Sequence, residues 1–287
     1  MDFNEETALD AVLASFADTP DPRRREVFEG VVRHLHALVR DIRPTLAEWE
    51  QAIGFLTEVG QKCDDTRQEF VLLSDVLGVS MLVESINDDE HGTEGTVLGP
   101  FHMTESPRRE LGDSISEVGL ERPCVVTGVV VDLDGRPIPG ATVDIWQCDE
   151  EGYYDVQRPD VQPPGNGRGL FTADADGAFW FRSVVPSHYP IPTDGPVGRL
   201  LEASRRHPYR PAHVHMIAEA DGFTTVTTHL FVADSPYLDS DAVFAVKTSL
   251  VHDFAVVDDP ALAEQYGVSA PFRQARVEIR LVPEEAA

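Results

Sequence analysis

His213 and His215 are spaced so that both could hold one metal ion. They lie in Arg210-Pro211-Ala212-His213-Val214-His215, and alternate residues of a β-strand point to the same face. On a strand the two imidazoles would stand side by side, separated by roughly 7 Å of backbone. Tyr154 and Tyr189 lie upstream, in loops that follow predicted strands. If both gave phenolate oxygens, the donor set would be N2O2 with two anions, which suits a hard trivalent cation such as Fe(III) better than a soft ion. An H-x-H pair is by itself a weak metal signal, and each tyrosine taken alone reads as a packed aromatic with a bonded hydroxyl. The H-E-x-x-H and C-x-x-C zinc patterns are absent. On spacing alone, two other readings stay open: a zinc hydrolase built on His213 and His215, and a non-enzymatic β-sandwich binding module in which the four residues only pack.

The elements that must position these residues change character along the chain. Residues 1 to about 88 read as helical. Asp21 before Pro22 is an N-cap followed by a first-turn proline, and Val27, Val31, Leu35 and Val39 recur at i+4 in a helix from Arg23 to about Asp41. Thr45 and Glu48 form a capping box for a helix to about Val59. Asp65 and Gln68 resemble a further cap, for a helix from about Thr66 to Ile86 that is apolar nearly all round and so needs cover on several sides, from its own domain and from a second subunit. Asp75 is a carboxylate among its leucines and valines, either bonded to one polar partner or facing a polar cavity. After an irregular stretch, the runs Cys124–Asp132, Ala141–Cys148, Ala178–Val184, Ala212–Ala218, Thr224–Val232 and Ala275–Leu281 read as strands between turn signals such as Asp134-Gly135 and Asp176-Gly177. Helices first and strands later make the chain α+β: a helical segment over 1–93, then a β-sandwich or barrel over 94–287 that carries the Tyr and His cluster.

The remaining composition excludes several functions. A length of 287 residues is enough to bury a large core without disulfide staples. The three cysteines are odd in number, and Cys124 and Cys148 read as buried thiols, so a cytoplasmic protein is expected. The acidic first residues show no secretory signal, and no apolar run is long enough to span a membrane. A formal charge of −27 argues against nucleic acid and anionic membrane surfaces as partners.

Several segments in order resemble the intradiol ring-cleavage dioxygenases. They are Gly140-Ala141-Thr142-Val143-Asp144-Ile145-Trp146, Gly152-x-Tyr154, Asp174-Ala175-Asp176-Gly177, Arg182-Ser183-Val184-Val185-Pro186, Tyr189 and the Arg210–His215 segment. Within that family the whole chain is similar to the hydroxyquinol branch, through Arg67-Gln68-Glu69-Phe70, Leu72-Leu73-Ser74-Asp75, Thr96-Val97-Leu98-Gly99-Pro100-Phe101 and Tyr237-Leu238-Asp239-Ser240-Asp241-Ala242-Val243-Phe244. His229, where catechol enzymes usually carry glutamine, and Pro163–Gly169, in place of their Asn-Leu-Arg-Arg segment, favour the same branch.

The resemblance implies a β-sandwich catalytic domain with one Fe(III) per subunit, held by Tyr154, Tyr189, His213 and His215, which activates the organic substrate before O2. It implies that Tyr189 leaves the metal and takes up a substrate proton while Tyr154 stays bound. Arg210 would stabilise charge developing on the ring, with a structural carboxylate pair as its alternative. His229 would orient a ligand or intermediate, with a packed core histidine as its alternative. Leu72, Asp75, Val97, Leu98, Gly99, Pro100, Phe101, Ile191, Pro192 and Val243 would line the substrate pocket beside Arg210, and Asp75 would read a third ring hydroxyl. The implied reaction is cleavage of hydroxyquinol (benzene-1,2,4-triol) by O2 to 3-hydroxy-cis,cis-muconate, the tautomer of maleylacetate, with catechol or chlorocatechol cleavage as the alternative. A homodimer through the N-terminal helices, with phospholipid between them, also follows from the resemblance.

Overall fold

The computed structural model describes residues 3–64, 67–102, 105–119 and 122–284. The chain forms two compact units, Met1–Glu58 and Val59–Ala287.

The first unit holds α1 (Ala8–Ala14), α2 (Pro22–Ile42) and most of α3 (Leu46–Lys62). The caps expected from the sequence are made. The Asp21 carboxylate accepts the amides of Arg23 and Arg24, while Thr45 and Glu48 bond each other's amides reciprocally. Phe16 packs on Phe28 with ring centroids 5.6 Å apart. The i+4 stripe of α2 stays exposed along Val27, Val31, Leu35 and Val39, as do Ile42 and Leu46.

In the second unit the long helix expected from Thr66 to Ile86 is two helices, α4 (Glu69–Val76) and α5 (Val79–Asn87). Gly78 sits between them at φ 72°, a left-handed conformation that glycine adopts without Cβ strain and that ends α4. Apolar residues on every side of the segment hid that break, because they leave no periodicity to interrupt. The expected Asp65 cap lies outside the described residues.

Two sheets follow. One has the order β10 (Ala255–Val257), β11 (Phe272–Arg280), β1 (Pro123–Val131), β4 (Ala178–Val184). The other has the order β3 (Arg168–Thr172), β2 (Thr142–Gln147), β7 (His213–Glu219), β8 (Val226–Val232), β9 (Val251–His252). All six expected strands are present within a few residues of their expected ends. The core lies between the sheets: Val126, Val130, Phe179, Phe181 and Ile279 from one meet Val143, Ile145, Phe171, Val214, Met216 and Leu230 from the other. Alternation therefore turns Asp144 and Trp146 of β2, His213 and His215 of β7, and His229 of β8 to the opposite face of the second sheet. A two-stranded ribbon of β5 (Tyr189–Pro190) and β6 (Tyr209–Arg210) sets Tyr189 opposite Arg210. Helices α6 (Pro196–Ala203) and α7 (Pro260–Tyr266) complete the unit. Cys63, Cys124 and Cys148 are all free thiols, and among the described residues no helix is long and apolar enough to cross a membrane.

Candidate metal centre and substrate cleft

Tyr154, Tyr189, His213 and His215, named from the sequence, meet on the outer face of the second sheet. Tyr154 precedes a single helical turn, where its amide donates to Gln157 Oε1 at 2.9 Å. Tyr189 comes from β5, and both imidazoles come from β7. The donor atoms form a chain: Tyr154 Oη to Tyr189 Oη is 3.3 Å, Tyr189 Oη to His213 Nε2 is 3.5 Å, and His213 Nε2 to His215 Nε2 is 3.1 Å. Two donors each about 2.0–2.1 Å from a common ion, at 90–110° to one another, would be about 2.9–3.4 Å apart. The first and last of these separations fall in that range and the middle one lies just above it, close to what a single small cation can bridge.

Their chemistry agrees with that geometry. His213 Nδ1 lies 2.7 Å from the Pro211 carbonyl, an acceptor only, so it carries the proton and leaves Nε2 its lone pair. Burial holds His213, His215 and His229 well below the usual histidine range, and the neighbouring Arg210 charge adds to the effect. Burial also raises the pKa of both phenols, most strongly at Tyr154, where the neighbouring Tyr189 raises it further. Neutral imidazoles and phenols that resist ionisation make a pocket in which phenolates form only if a cation supplies the opposing charge. The residues present fit a ferric ion.

The shell around the donors is rigid. Trp146, fully buried, stacks on His215 at 4.6 Å and 10°. Phe101 stacks on Tyr154 at 4.4 Å. Arg168 donates through Nε and Nη2 to Asp155 Oδ1, at 2.9 and 2.7 Å, and through Nη1 to the Phe101 carbonyl at 2.9 Å. One buried guanidinium thereby ties the residue after Tyr154 to the ring that covers Tyr154. Gly152, at φ 89°, brings the two tyrosine loops together: a Cβ there would lie 3.0 Å from the Tyr189 Cβ.

His229 pairs with His215 across β7 and β8, and ligand-type atoms of His213, His215 and His229 all lie within 4.8 Å of one another. Its Nδ1 is bonded to Thr96 Oγ1, while Nε2 has no partner among the described residues. Arg210 makes the carboxylate pair expected as its alternative and keeps one nitrogen directed elsewhere. It is forked to the buried Asp241, and its Nη1 stands 3.2 Å from His213 Nε2.

A cleft of about 520 Å³ is lined by Asp75, Val97, Leu98, Gly99 and Pro100 among the expected pocket residues, together with Ser80, Glu84 and His102. Gly99 runs close against a donor ring, since a Cβ built on it would lie 3.1 Å from His215 Cε1. Asp75 is 3 % exposed and its Oδ1 has no hydrogen-bond partner among the described residues. Burial raises its pKa, against opposing contributions from Ser80 and Arg210. The other expected wall residues do not line this cleft. Phe101 belongs to the aromatic cluster over Tyr154, and Ile191 follows β5, its amide bonded to the Pro208 carbonyl. Leu72 and Val243 are buried and Pro192 is half-buried. His188, adjacent to Tyr189, packs against Tyr209 and Tyr237.

Sequence reasoning missed Asp155, Arg168 and Asp241 as supports of the site. Asp241 stood inside a segment quoted for its resemblance, but nothing in its spacing marks it as the partner of Arg210.

Known proteins are similar to the chain in sequence and fold. The family described as Dioxygenase matches residues 100–281, and the one described as Catechol dioxygenase N terminus matches residues 21–95. The hydroxyquinol 1,2-dioxygenase of Rhizobium sp. is 51% identical over 267 residues, covering 92% of this chain and 90% of that one. The solved hydroxyquinol 1,2-dioxygenase of Pseudomonas putida superposes with a TM-score of 0.89 at 45% identity, covering 98% of this chain and 99% of that one. A catechol 1,2-dioxygenase of Acinetobacter superposes with a TM-score of 0.85 at 26% identity, covering 99% of this chain and 95% of that one. The chain belongs to the intradiol dioxygenases.

Proposed function

We propose that this dioxygenase cleaves hydroxyquinol with O2 between its two adjacent hydroxylated carbons, giving 3-hydroxy-cis,cis-muconate. The observation that carries the substrate assignment is Asp75: a buried carboxylate with an open oxygen, in a cleft whose Gly99 wall runs against His215. The identity of the relatives named above supports the same choice.

Tyr154, Tyr189, His213 and His215 would hold one Fe(III) per subunit. When bound, the ion would supply a Lewis-acidic centre that takes the two adjacent ring oxygens and prepares the ring for O2. Tyr189, as the phenolate, is the group assigned to accept a substrate proton and so become the phenol. It lies within hydrogen-bond reach of both Tyr154 and His213. Tyr154, clamped under Phe101 and beside the Arg168–Asp155 pair, is the oxygen that stays in place. Arg210 directs Nη1 to the donor locus, where it stabilises negative charge developing on the ring. His229, anchored by Thr96, presents its Nε2 to the same locus, where it would orient a substrate oxygen. Asp75 accepts the third hydroxyl, since a buried acceptor is costly while unpaired and gains when the substrate pairs it. Val97, Leu98, Gly99 and Pro100 complete the proposed wall beside Asp75, while Leu72, Phe101, Ile191, Pro192 and Val243 pack outside it.

The proposed division of labour is a dimerisation segment over 1–93 and a catalytic segment over 94–287, with α4 of the former reaching into the cleft. Exposed apolar side chains on α2 and α3, with Leu46 at 81 % exposure, support a homodimer through these helices, with phospholipid between them. Three free thiols, with no disulfide between them, support a cytoplasmic location.

The test is oxygen uptake by iron-replete protein with hydroxyquinol and catechol side by side. Hydroxyquinol is expected to give the higher kcat/KM, and the purified protein is expected to be red to purple from tyrosinate-to-Fe(III) charge transfer. Preference for catechol would assign the protein to the catechol or chlorocatechol branch. Colourless, inactive protein after iron loading would overturn the metal centre itself.

A further inference from the structure

Asp241 is buried and its carboxylate accepts four hydrogen bonds. Oδ1 takes Arg210 Nε at 3.2 Å and the Val243 amide at 3.3 Å, while Oδ2 takes Arg210 Nη2 at 3.5 Å and the Ala245 amide at 3.1 Å. An ionised carboxylate has acceptor sites for all four; a neutral amide of the same shape has one acceptor oxygen and two hydrogens of its own. The fork occupies Nε and Nη2 of Arg210 and leaves Nη1 as the arm 3.2 Å from His213 Nε2.

The platform beneath Asp241 is itself fixed. The Ala242 amide donates to the Tyr209 carbonyl at 3.1 Å, one residue from Arg210. Arg206 donates to the Ala242 carbonyl at 3.0 Å and to the Val76 carbonyl, at the end of the helix that carries Asp75. Phe244 is held at φ 60°, a left-handed conformation that a bulky residue keeps only when its surroundings enforce it. A carboxylate on such a segment holds its guanidinium partner in one direction.

We propose that Asp241 is the positioning residue for Arg210: its ionised carboxylate, braced by the Val243 and Ala245 amides, aims Nη1 at the reacting ring. This rests on the catalytic role assigned to Arg210 above. A charge-stabilising group displaced by about 1 Å loses on the order of 100-fold in rate, so loosening the fork is expected to act on turnover.

The test compares iron-replete wild type with Asp241→Asn, Asp241→Glu, Arg210→Gln and the Asp241→Asn/Arg210→Gln double variant. The readouts are kcat and KM for hydroxyquinol, iron content, the charge-transfer band and the melting temperature. Asp241→Glu keeps the charge that the buried arginine needs while moving the fork by one methylene, so it decides the matter even if the Asn variant does not fold. The expected result is a kcat lowered about 10- to 100-fold in both Asp241 variants, with KM and iron content within about twofold of wild type. The double variant should be no slower than Arg210→Gln alone. Wild-type turnover in Asp241→Glu, losses that multiply in the double variant, or a loss that follows iron content would overturn the proposal. An Arg210→Gln variant with full turnover would overturn the assigned role of Arg210 and this proposal with it. An impaired Arg210→Gln beside a fully active Asp241→Glu would overturn this proposal alone.

Discussion

Replacing Asp75 separates substrate choice from stability, because the same carboxylate weighs on both. Its side chain is buried in α4 with Oδ1 unpaired. A hydrogen bond from a substrate hydroxyl to a charged acceptor contributes about 1.5–3 kcal/mol, a factor of about 10–150 in discrimination between a ring that has the hydroxyl and one that lacks it. Asp75→Leu is therefore expected to lower kcat/KM for hydroxyquinol by that factor relative to catechol, leaving catechol cleavage near its original rate. The fold should respond in the opposite sense. Removing an unpaired buried acceptor relieves about 1–3 kcal/mol, and losing the bond to Ser80 returns about 1 kcal/mol of that. The expected balance is a net gain of up to about 2 kcal/mol, or a melting temperature higher by a few degrees. Asp75→Asn, which keeps one carbonyl acceptor and no charge, should fall between wild type and the Leu variant. The assay is steady-state oxygen uptake on both substrates, with thermal unfolding on the same samples. A hydroxyquinol-to-catechol ratio that stays within twofold of wild type in Asp75→Leu would refute the reasoning, whatever the melting temperature did.

Three further outcomes are expected. Arg168→Ala should destabilise the protein by about 3–5 kcal/mol, because it leaves Asp155 as an unpaired charge at a site where both partners are buried; chemical denaturation measures it, and a loss below about 1 kcal/mol would show that the pair does not brace Tyr154. Cys124 and Cys148 are pushed by burial from 9.0 to about 12, so above pH 9 the unfolded thiols ionise while the folded ones do not. Each then subtracts about 1.4 kcal/mol of stability per pH unit through that window, and Cys124→Ala should lose less than wild type between pH 9 and 11, by about 2 kcal/mol; parallel losses would refute the burial argument. Leu46→Glu, on the exposed stripe of the N-terminal helices, should weaken the proposed homodimer, raising the fraction of monomer in analytical ultracentrifugation at micromolar concentration.

Much of the fold was legible because local rules and tertiary packing agree. Asp21 caps α2 with its own carboxylate, Thr45 and Glu48 close a box, and the strands alternate with the period that the pleat imposes. The break at Gly78 was not legible, because apolar residues on all sides of α4 and α5 give no stripe whose phase could slip. Strand β3 was hidden by the Gly165-Asn166-Gly167-Arg168-Gly169 run that opens it and reads as a loop. At the site, spacing gave only the H-x-H pair; Tyr154 and Tyr189 came through resemblance. The carboxylates that orient the site's cations were out of reach for a physical reason. Asp155 meets Arg168 and Asp241 meets Arg210 across 13 and 31 residues of chain, and no local pattern sets those separations.

The outer position of the proposed metal donors follows from the same register that builds the core. In β7, Val214, Met216 and Ala218 enter the sandwich, so His213 and His215 must leave it on the other face. In β8, Leu230 and Val232 do the same for His229, and pairing sets His229 directly against His215. In β2, Val143 and Ile145 are inward, which turns Trp146 out to stack on His215. A one-residue slip in any of the three strands would drive an imidazole or indole into the core and an aliphatic side chain into the donor set. The hydrophobic pattern therefore protects the chemistry: a sequence change that preserves stability by keeping the apolar faces together also keeps the imidazoles together. What the pattern does not protect is aim. The direction of Arg210, the clamp on Tyr154 and the open oxygen of Asp75 each depend on a single buried carboxylate, and those are the positions at which this fold can change activity without losing its sheets.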